Sequence, residues 1–556
     1  MAQLSAFRDP SQPALLSNYK PGPSYCELMG DGVEDRPRLL EFWQRLEQLP
    51  FEDLTVRAAD ALHDLYERGV TFTVYTDRDA IDRTLPFDVI PRVLSAGEWG
   101  KIESGVKQRV AALNLFLGDI YGGQKILKAG VVPRDLVEGN ANYRPEMMGV
   151  ALPHGTYVHV AGIDLVRGGD GEFYVLEDNA RTPSGVSYVV ENRHLMQRAF
   201  PDLLEGFRVR DVSDYGQKLR EKLIETAPAD CDNPQLVLLS PGVFNSAYYE
   251  HIYLAREMGV ALVEGRDLVV VDKRLFAKTI TGLQRVDVVY RRVDDDFLDP
   301  RAFNPDSMLG VPGIMDCLKA GTVTIANAPG TGVADDKAVY AYMPKIIEYY
   351  LGEEPILANV KTYICREAGD LAYTLANMDK LVVKPVGESG GYGIVIGPMA
   401  SKKELDECRL AVNAKPENFI AQPMVQLSVC PTLTEDGVAP RHVDLRPFAI
   451  TGEETWVLPG GLTRVALRKG SIIVNSSQGG GTKDTWVLYE EAAKAGQSQV
   501  QSQTQSQFPA SSGSQSQSQS QSQSQSQSQP QAGSQVQTQS QTNASNQEKE
   551  AGKPTE

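Results

Sequence analysis

Apolar residues recur every three to four positions in three early stretches, "RLLEFWQRLEQL", "VRAADALHDLYERG" and "VKQRVAALNLFLGDIYGG". That spacing predicts helices with one buried stripe. Around residues 156–179 the pattern turns to strands. Between 235 and 330 the two periods alternate: "QLVLLSPG" is a short apolar run, "NSAYYEHIYLAREMG" has helical spacing opened by Asn245, and "VALVEGRDLVVVD" returns to strand. Such a βαβ alternation predicts a small parallel sheet. "DKAVYAYMPKIIEYYLG" reads as one long helix leading to residues 355–490, which are rich in strands and glycine. From Gln497 the chain becomes Gln/Ser repeats with too little apolar surface to offset ordering entropy, so a disordered tail is expected. The expected organisation is a helical region with a hairpin (1–210), a βαβ domain (211–334), a glycine- and strand-rich region (335–490) and the tail (491–556), of α/β (α+β) class.

Composition narrows the function. A chain of 556 residues, 42% hydrophobic, can bury a large core. Its net charge of −17 argues against a nucleic-acid partner, whose phosphates would repel it. No apolar run approaches the length of a transmembrane helix, so no membrane partner is expected. Arg8 and Asp9 stand where a signal peptide needs an apolar core, and a cytoplasmic location is expected. The six cysteines form no CxxC pair and read as reduced thiols. His154 and His159, on a strand-like stretch, would face opposite sides, so zinc chemistry is not expected. The oligomeric state is not legible.

Two stretches carry candidate chemistry. In "LVVKPVGESGGYGIVIG" (381–397) a lysine ends an apolar run and a glycine loop follows. No lysine follows the glycines, as a Walker A loop requires, and the next segment is β-branched where a dinucleotide fingerprint needs a helix. The loop therefore joins two strands as a hairpin. Gly387, Ser389, Gly390, Gly391 and Gly393 would let backbone N–H groups meet a phosphate, with Lys384 as the neutralising charge. The bland alternative is a flexible hairpin with an exposed lysine.

The second stretch, "VHVAGIDLVRGGDGEFYVLEDNARTPSGVSY", has two strand-like runs around "GGDG". With Gly168 and Gly171 paired, Asp164 falls opposite Val175, on the face that also carries Glu177 and Asn179. A slip of one residue would break that alignment. Two carboxylates and an amide oxygen are hard ligands suited to Mg²⁺, and Arg181 could reach an anion beside the metal. An exposed polar strand face is the competing reading. The run "RRVDDD" (291–296) reads either as a solvated strand end or as part of a substrate pocket.

Together these pieces resemble the ATP-grasp family of carboxylate ligases. "LVVKPVGESGGYGIVIG" is similar to its lid hairpin and "FIAQPMV" (419–425) to its adenine-contacting hinge. "HVDLRPFAI", with Asp444 and Arg446, is similar to its Asp-x-Arg strand. "GGLTRVAL", with Arg464, and "VNSSQGGGTKD" resemble the strand and Asn-glycine turn that follow. The hairpin with Glu177 and Asn179 resembles its metal motif. The metal motif conventionally comes last and here comes first, so the chain resembles the circularly permuted type 2 group, related to glutathionylspermidine synthase and glutathione synthetase. Permutation is compatible with termini that lie close together.

The resemblance implies a permuted ATP-grasp fold whose βαβ part is like the domain preceding the ATP-grasp core. It implies ATP and Mg²⁺ as cofactors, and a carboxylate substrate and an amine nucleophile as partners. Lys384 and the loop would hold phosphates, Gln422, Pro423, Met424 and Val425 would meet the adenine, and Asp164, Glu177 and Asn179 would hold Mg²⁺. Arg446 or Arg464 would stabilise charge on the transferred oxygens, and Arg181, beside the metal, is the further catalytic candidate. The family's second phosphate lysine is expected at Lys345 or Lys361. An inactive nucleotide-binding scaffold and a phosphotransferase without ligation stay open as alternatives.

Overall fold

A computed structural model describes residues 15–30, 37–75, 80–243, 245–387, 393–475 and 479–490. The Gln/Ser tail lies outside these residues. These described residues belong to one compact unit.

Its largest sheet has eight strands drawn from both halves of the sequence. Ala358–Asn359, Phe173–Asn179, Val160–Arg167, Gly437–Thr451, Thr455–Val465, Gly481–Val487 and Phe87–Leu94 follow one another, and Val429–Thr434 pairs separately with Gly437–Thr451. Val160–Arg167 runs antiparallel to Gly437–Thr451, with Leu165 opposite Leu445. This seam is where the permuted order closes, because an early hairpin takes its place beside a late strand.

Alternate residues of these strands enter two different cores. Ala449, Val457 and Val487 pack with Trp99, Val106 and Phe116 of the helix Ala96–Ile120. Their neighbours Ile450, Leu458 and Trp486 pack with Val189, Leu195 and Met196 of the helix Val186–Ala199. Burial on both faces explains why the strands lack a clean polar alternation.

The expected βαβ region forms a four-stranded sheet in the order Thr324–Ala326, Val288–Arg291, Leu236–Leu239, Ala261–Val263, all pairs parallel. The end of "VALVEGRDLVVVD" leaves it, since Leu268–Val271 joins a separate three-stranded antiparallel sheet. A further sheet, in the order Tyr363–Ile364, Phe419–Pro423, Leu381–Pro385, Val395–Ile396, has its own small core around Cys365, Met378, Val383 and Val412.

Two helices depart from the sequence reading. Ala96–Ile120 starts well before "VKQRVAAL" because Ser95 and Glu98 close a capping box on its first turn. The long helix expected over "DKAVYAYMPKIIEYYLG" divides into Lys337–Ala341 and Met343–Leu351. Pro344 has no N–H to give and its ring crowds the preceding turn, so it can only begin a helix there.

All six cysteines are free thiols. No helix among the described residues is long and apolar enough to cross a membrane.

One buried ion pair joins the hairpin to the helix beneath it. Arg109 donates through Nη2 to Asp178 Oδ2 at 2.8 Å and through Nη1 to Asn359 Oδ1 at 2.8 Å, and its guanidinium lies over the Tyr340 ring. Both ionic groups are buried, so removing one strands the other. Arg109→Leu is expected to cost about 3–5 kcal/mol, and adding Asp178→Leu should recover most of that loss. Denaturant unfolding of the single and double variants checks this.

Candidate functional site

The hairpin that carries Asp164 and Glu177 meets its expected geometry by an unexpected route. The Gly168 N–H donates to the Glu172 carbonyl, and Arg167 faces Phe173, so pairing at the turn is slipped by one residue from the expected register. Left alone, that slip would put Asp164 and Glu177 on opposite faces. A bulge at Leu176 inserts one extra residue, after which Asp164 faces Glu177 and Gly162 faces Asn179. The face is restored. Leu176, displaced by the bulge, lines both cavities described next.

The first cavity, of about 370 Å³, is lined by Glu177, Asn179, Lys337, Lys384, Gly387 and Arg446 among others. The second, of about 250 Å³, is mainly apolar and is lined by Val382, Ile396, Met424, Val425 and Ile472 among others. The two share Leu176, Lys384, Ile394 and Asn475, so Lys384 stands where they join.

Asp164 is buried, and both of its oxygens are held by guanidinium groups. Arg446 clasps it with two nitrogens, Nη2 at 2.8 Å from Oδ2, and Arg464 Nη2 reaches Oδ2 at 2.7 Å. Arg464 also grips Asp444, with Nε 2.9 Å from Oδ1. Burial pushes the Asp164 carboxyl up, but Arg446 and Arg464 outweigh it and hold the group well below the usual carboxylate range. Burial raises the Asp444 carboxyl despite Arg464.

Glu177 is partly exposed in the cavity and lies 3.9 Å from Lys337 Nζ. Burial, then the Asp164 charge, raises its carboxyl. Asn179 donates from Nδ2 to the Gly162 carbonyl at 3.2 Å. Among the described residues, Asp164, Glu177 and Asn179 all line the first cavity, the Asp164 oxygens being held there by arginines. No three His, Cys, Asp or Glu side chains among the described residues cluster as a metal site.

Lys384 lies on the strand Leu381–Pro385 and is buried. Burial pulls its ammonium down to about 8, opposed by Glu177 and Asp164 and assisted by Lys337. Gly387 lines the first cavity, and Gly393, with φ +69°, opens the returning strand. Ser389, Gly390 and Gly391 lie outside the described residues. The hairpin itself is formed, with Val382 opposite Ile396. At the hinge, Pro423, Met424 and Val425 line the second cavity, and the buried Gln422 also borders it while donating to Thr362 Oγ1 at 2.9 Å.

Arg181 lines the first cavity, with Nε 3.4 Å from Asp335 Oδ2 and 4.0 Å from Asp294 Oδ1. Burial raises Asp335 to about 7, against the pull of Arg181.

Neither lysine expected as the second phosphate ligand lines these cavities. Lys345 and Lys361 sit over the rings of Tyr342 and Tyr363, 5.4 and 5.0 Å from their centroids. Lys337 lines the first cavity instead. It opens a helix capped by Asp336, whose Oδ1 accepts from the N–H groups of Ala338 and Val339. The Asp-Asp-Lys sequence at that cap is the signal for it, masked in the sequence by the helical period that runs on through Leu351.

A family model of circularly permuted ATP-grasp type 2 proteins matches residues 91–466. The chain belongs to that family. An uncharacterized protein of Synechocystis sp. is 52% identical over 474 residues, which is 85% of this chain and 98% of the relative. A Frankia alni protein, by its name a candidate glutamate–cysteine ligase, is 41% identical over 482 residues, 86% of this chain but 55% of its own length. A solved glutathione synthetase-like effector from Globodera pallida aligns with 79% of this chain and 98% of its own at 12% identity and a TM-score of 0.48. The permuted ATP-grasp order thus joins strands from both ends of the chain around the two cavities.

A buried lysine held near 8 costs stability at neutral pH. Unfolded lysine keeps its proton to about pH 10.4, so the folded state binds fewer protons between about 8 and 10.4 and gains stability as pH rises through that window. Lys384→Met should therefore stabilise the protein by about 2–3 kcal/mol at pH 7, with the gain fading toward pH 10. Denaturant midpoints across pH 7–10 check the size and the fade.

Proposed function

We propose that this permuted ATP-grasp chain is an ATP- and Mg²⁺-dependent carboxylate–amine ligase, forming an amide through an acyl phosphate. The observation that carries the reading is the single cavity shared by Lys337, Lys384, Glu177 and Arg446, opening at Lys384 into an apolar slot. A nucleotide matches that shape, with adenine in the slot along Pro423–Val425 and phosphates at the two lysines.

The donor set suits the metal. Mg²⁺ usually takes one or two protein oxygens and completes its shell with water and substrate phosphates. Glu177 and Asn179 would hold it, where it would neutralise charge on the phosphate oxygens. Asp164 would act behind them by fixing Arg446 and Arg464.

In the first step a substrate carboxylate oxygen attacks the γ-phosphorus, and the bond to the β-bridging oxygen breaks to release ADP. In the second, an amine nitrogen attacks the acyl carbon, inorganic phosphate leaves, and the nitrogen loses its proton to solvent or a nearby base. The residues' part is positioning and charge neutralisation. Lys384 and Lys337 orient the phosphates, and Arg446, tethered by Asp164, meets charge on the transferred group. Closure of the hairpin that carries Lys384 would shield the acyl phosphate from water.

The test is ADP release with Mg·ATP and a panel of the twenty L-amino acids, supplied singly and in pairs, with dipeptides and polyamines. Release that needs both a carboxylate and an amine supports ligation, and release with a carboxylate alone points to phosphotransfer. No stimulation by any member sinks the reading. Glu177→Gln should lower stimulated turnover roughly 100-fold or more, as expected for a charge-stabilising group, while leaving the unfolding midpoint nearly unchanged.

A further inference from the structure

The segment Ala180–Ser187 follows the Glu177/Asn179 strand, and its residues Arg181–Gly185 line the first cavity but not the apolar slot. They therefore border the part of the cleft that the nucleotide reading leaves open. Surface loops usually satisfy their backbone groups with water or with their own turns. Here side chains from remote segments do so. Ala180 N–H donates to Asp335 Oδ1 at 2.5 Å, and the carbonyls of Ala180 and Arg181 accept from Asn327 Nδ2 at 2.8 and 3.2 Å. Arg446 Nη1 reaches the Ser184 carbonyl at 3.3 Å.

The last part of the turn is held from behind by an ion pair. Glu250 Oε2 accepts from the Gly185 N–H at 2.7 Å, the Ser187 N–H at 3.1 Å and the Ser187 hydroxyl at 2.9 Å. Arg292 Nη1 donates to the Pro183 carbonyl at 2.7 Å, and its Nη2 lies 3.5 Å from Glu250 Oε1. Glu250 is completely buried and Arg292 is 6% exposed. Gly185, at φ +110°, fits only because it lacks a Cβ, which would stand 2.8 Å from Leu462 Cδ2.

Burying two charges carries a desolvation cost that a well-packed apolar pair would avoid. An apolar pair could not, however, fix three backbone groups and a hydroxyl of one turn in direction as well as in distance. The arrangement also gives part of the Arg291–Asp296 run a role: Arg292 holds the turn, and Asp294 faces Arg181 across it.

We propose that Glu250 and Arg292 are positioning residues for the non-nucleotide substrate, holding the Pro183–Ser187 turn as the wall against which the carboxylate or amine is placed. This rests on the ligase reading. Both come from the parallel-sheet part of the chain, Glu250 from the helix Tyr248–Met258 and Arg292 just after the strand Val288–Arg291, so that part contributes to substrate placement without touching the nucleotide.

The test uses the full-length protein and the amino-acid pair that most stimulates ADP release in the panel above. Glu250→Gln keeps the shape and removes the charge, while Ser187→Ala removes one hydrogen bond and leaves both charges in place. A turn displaced by an ångström or so should cost catalysis about 10–100-fold. Glu250→Gln should then raise the KM for the amino-acid pair, or lower its kcat/KM, about tenfold or more, with the Kd for Mg·ATP by calorimetry unchanged within about twofold. Ser187→Ala should move the same parameter the same way by less, and it decides alone if Glu250→Gln does not fold. A purely structural role would lower the melting temperature and leave the KM where it was. That result, or a parallel rise in the Mg·ATP Kd, overturns the proposal while the ligase reading stands. If no compound stimulates the wild type, the ligase reading fails and this inference falls with it.

Discussion

The architecture turns on one buried carboxylate. Asp164 comes from an early hairpin, and the two arginines that neutralise it come from late strands of the same sheet. A buried carboxylate without partners carries a penalty of several kcal/mol, and a buried arginine does likewise. Neither part of the chain can therefore bury its polar groups there without the other. The antiparallel seam between Val160–Arg167 and Gly437–Thr451 supplies backbone pairing, and the Asp164–Arg446–Arg464–Asp444 network fixes the side chains on the cavity side. What permutation separates in sequence, the charge balance rejoins in space.

The network also shapes the electrostatics of the cleft. With the Asp164 and Asp444 carboxylates held by arginines, the first cavity is lined among the described residues by Lys337 and Lys384 on one hand and by Glu177 and Asn179 on the other. Positive charge faces the place proposed for phosphates, and a pair of hard oxygens lies beside it. On the hairpin's opposite face Asp178 is locked to Arg109, so the two strands are held rigidly from both sides. The site thus stands on sheet strands with limited freedom to drift, while the lid hairpin belongs to a small sheet with a separate core.

Much of this was legible before the structure. Amphipathic spacing located the helices, the βαβ alternation located the parallel sheet, and the lysine–glycine hairpin and the Glu-x-Asn strand were visible as motifs. The errors share a cause: local pattern does not report what a distant segment will do. Pro344 and the cap at Asp336 divided a helix whose apolar period ran on unbroken, and that concealed Lys337. Lys345 and Lys361 were closer to a familiar motif in sequence, yet their ammoniums lie on tyrosine rings away from both cavities.

The hairpin shows most sharply where sequence ends and tertiary structure begins. The strand period of two fixes that Glu177 and Asn179 share a face, because successive side chains must alternate. Nothing local fixed which face Asp164 would take, since the GGDG turn pairs one residue away from the simplest register and a bulge at Leu176 corrects it. With that bulge in place, Gly437–Thr451 lies alongside and Arg446 and Arg464 meet the Asp164 carboxylate. The sequence by itself determined on which strands the candidates Glu177, Asn179 and Lys384 would ride. Only the tertiary structure decided that Asp164 would serve the arginines, that Lys337 would join Lys384, and that Arg292 would hold the cleft wall, because each of those roles is set by charges brought together from far apart in the chain.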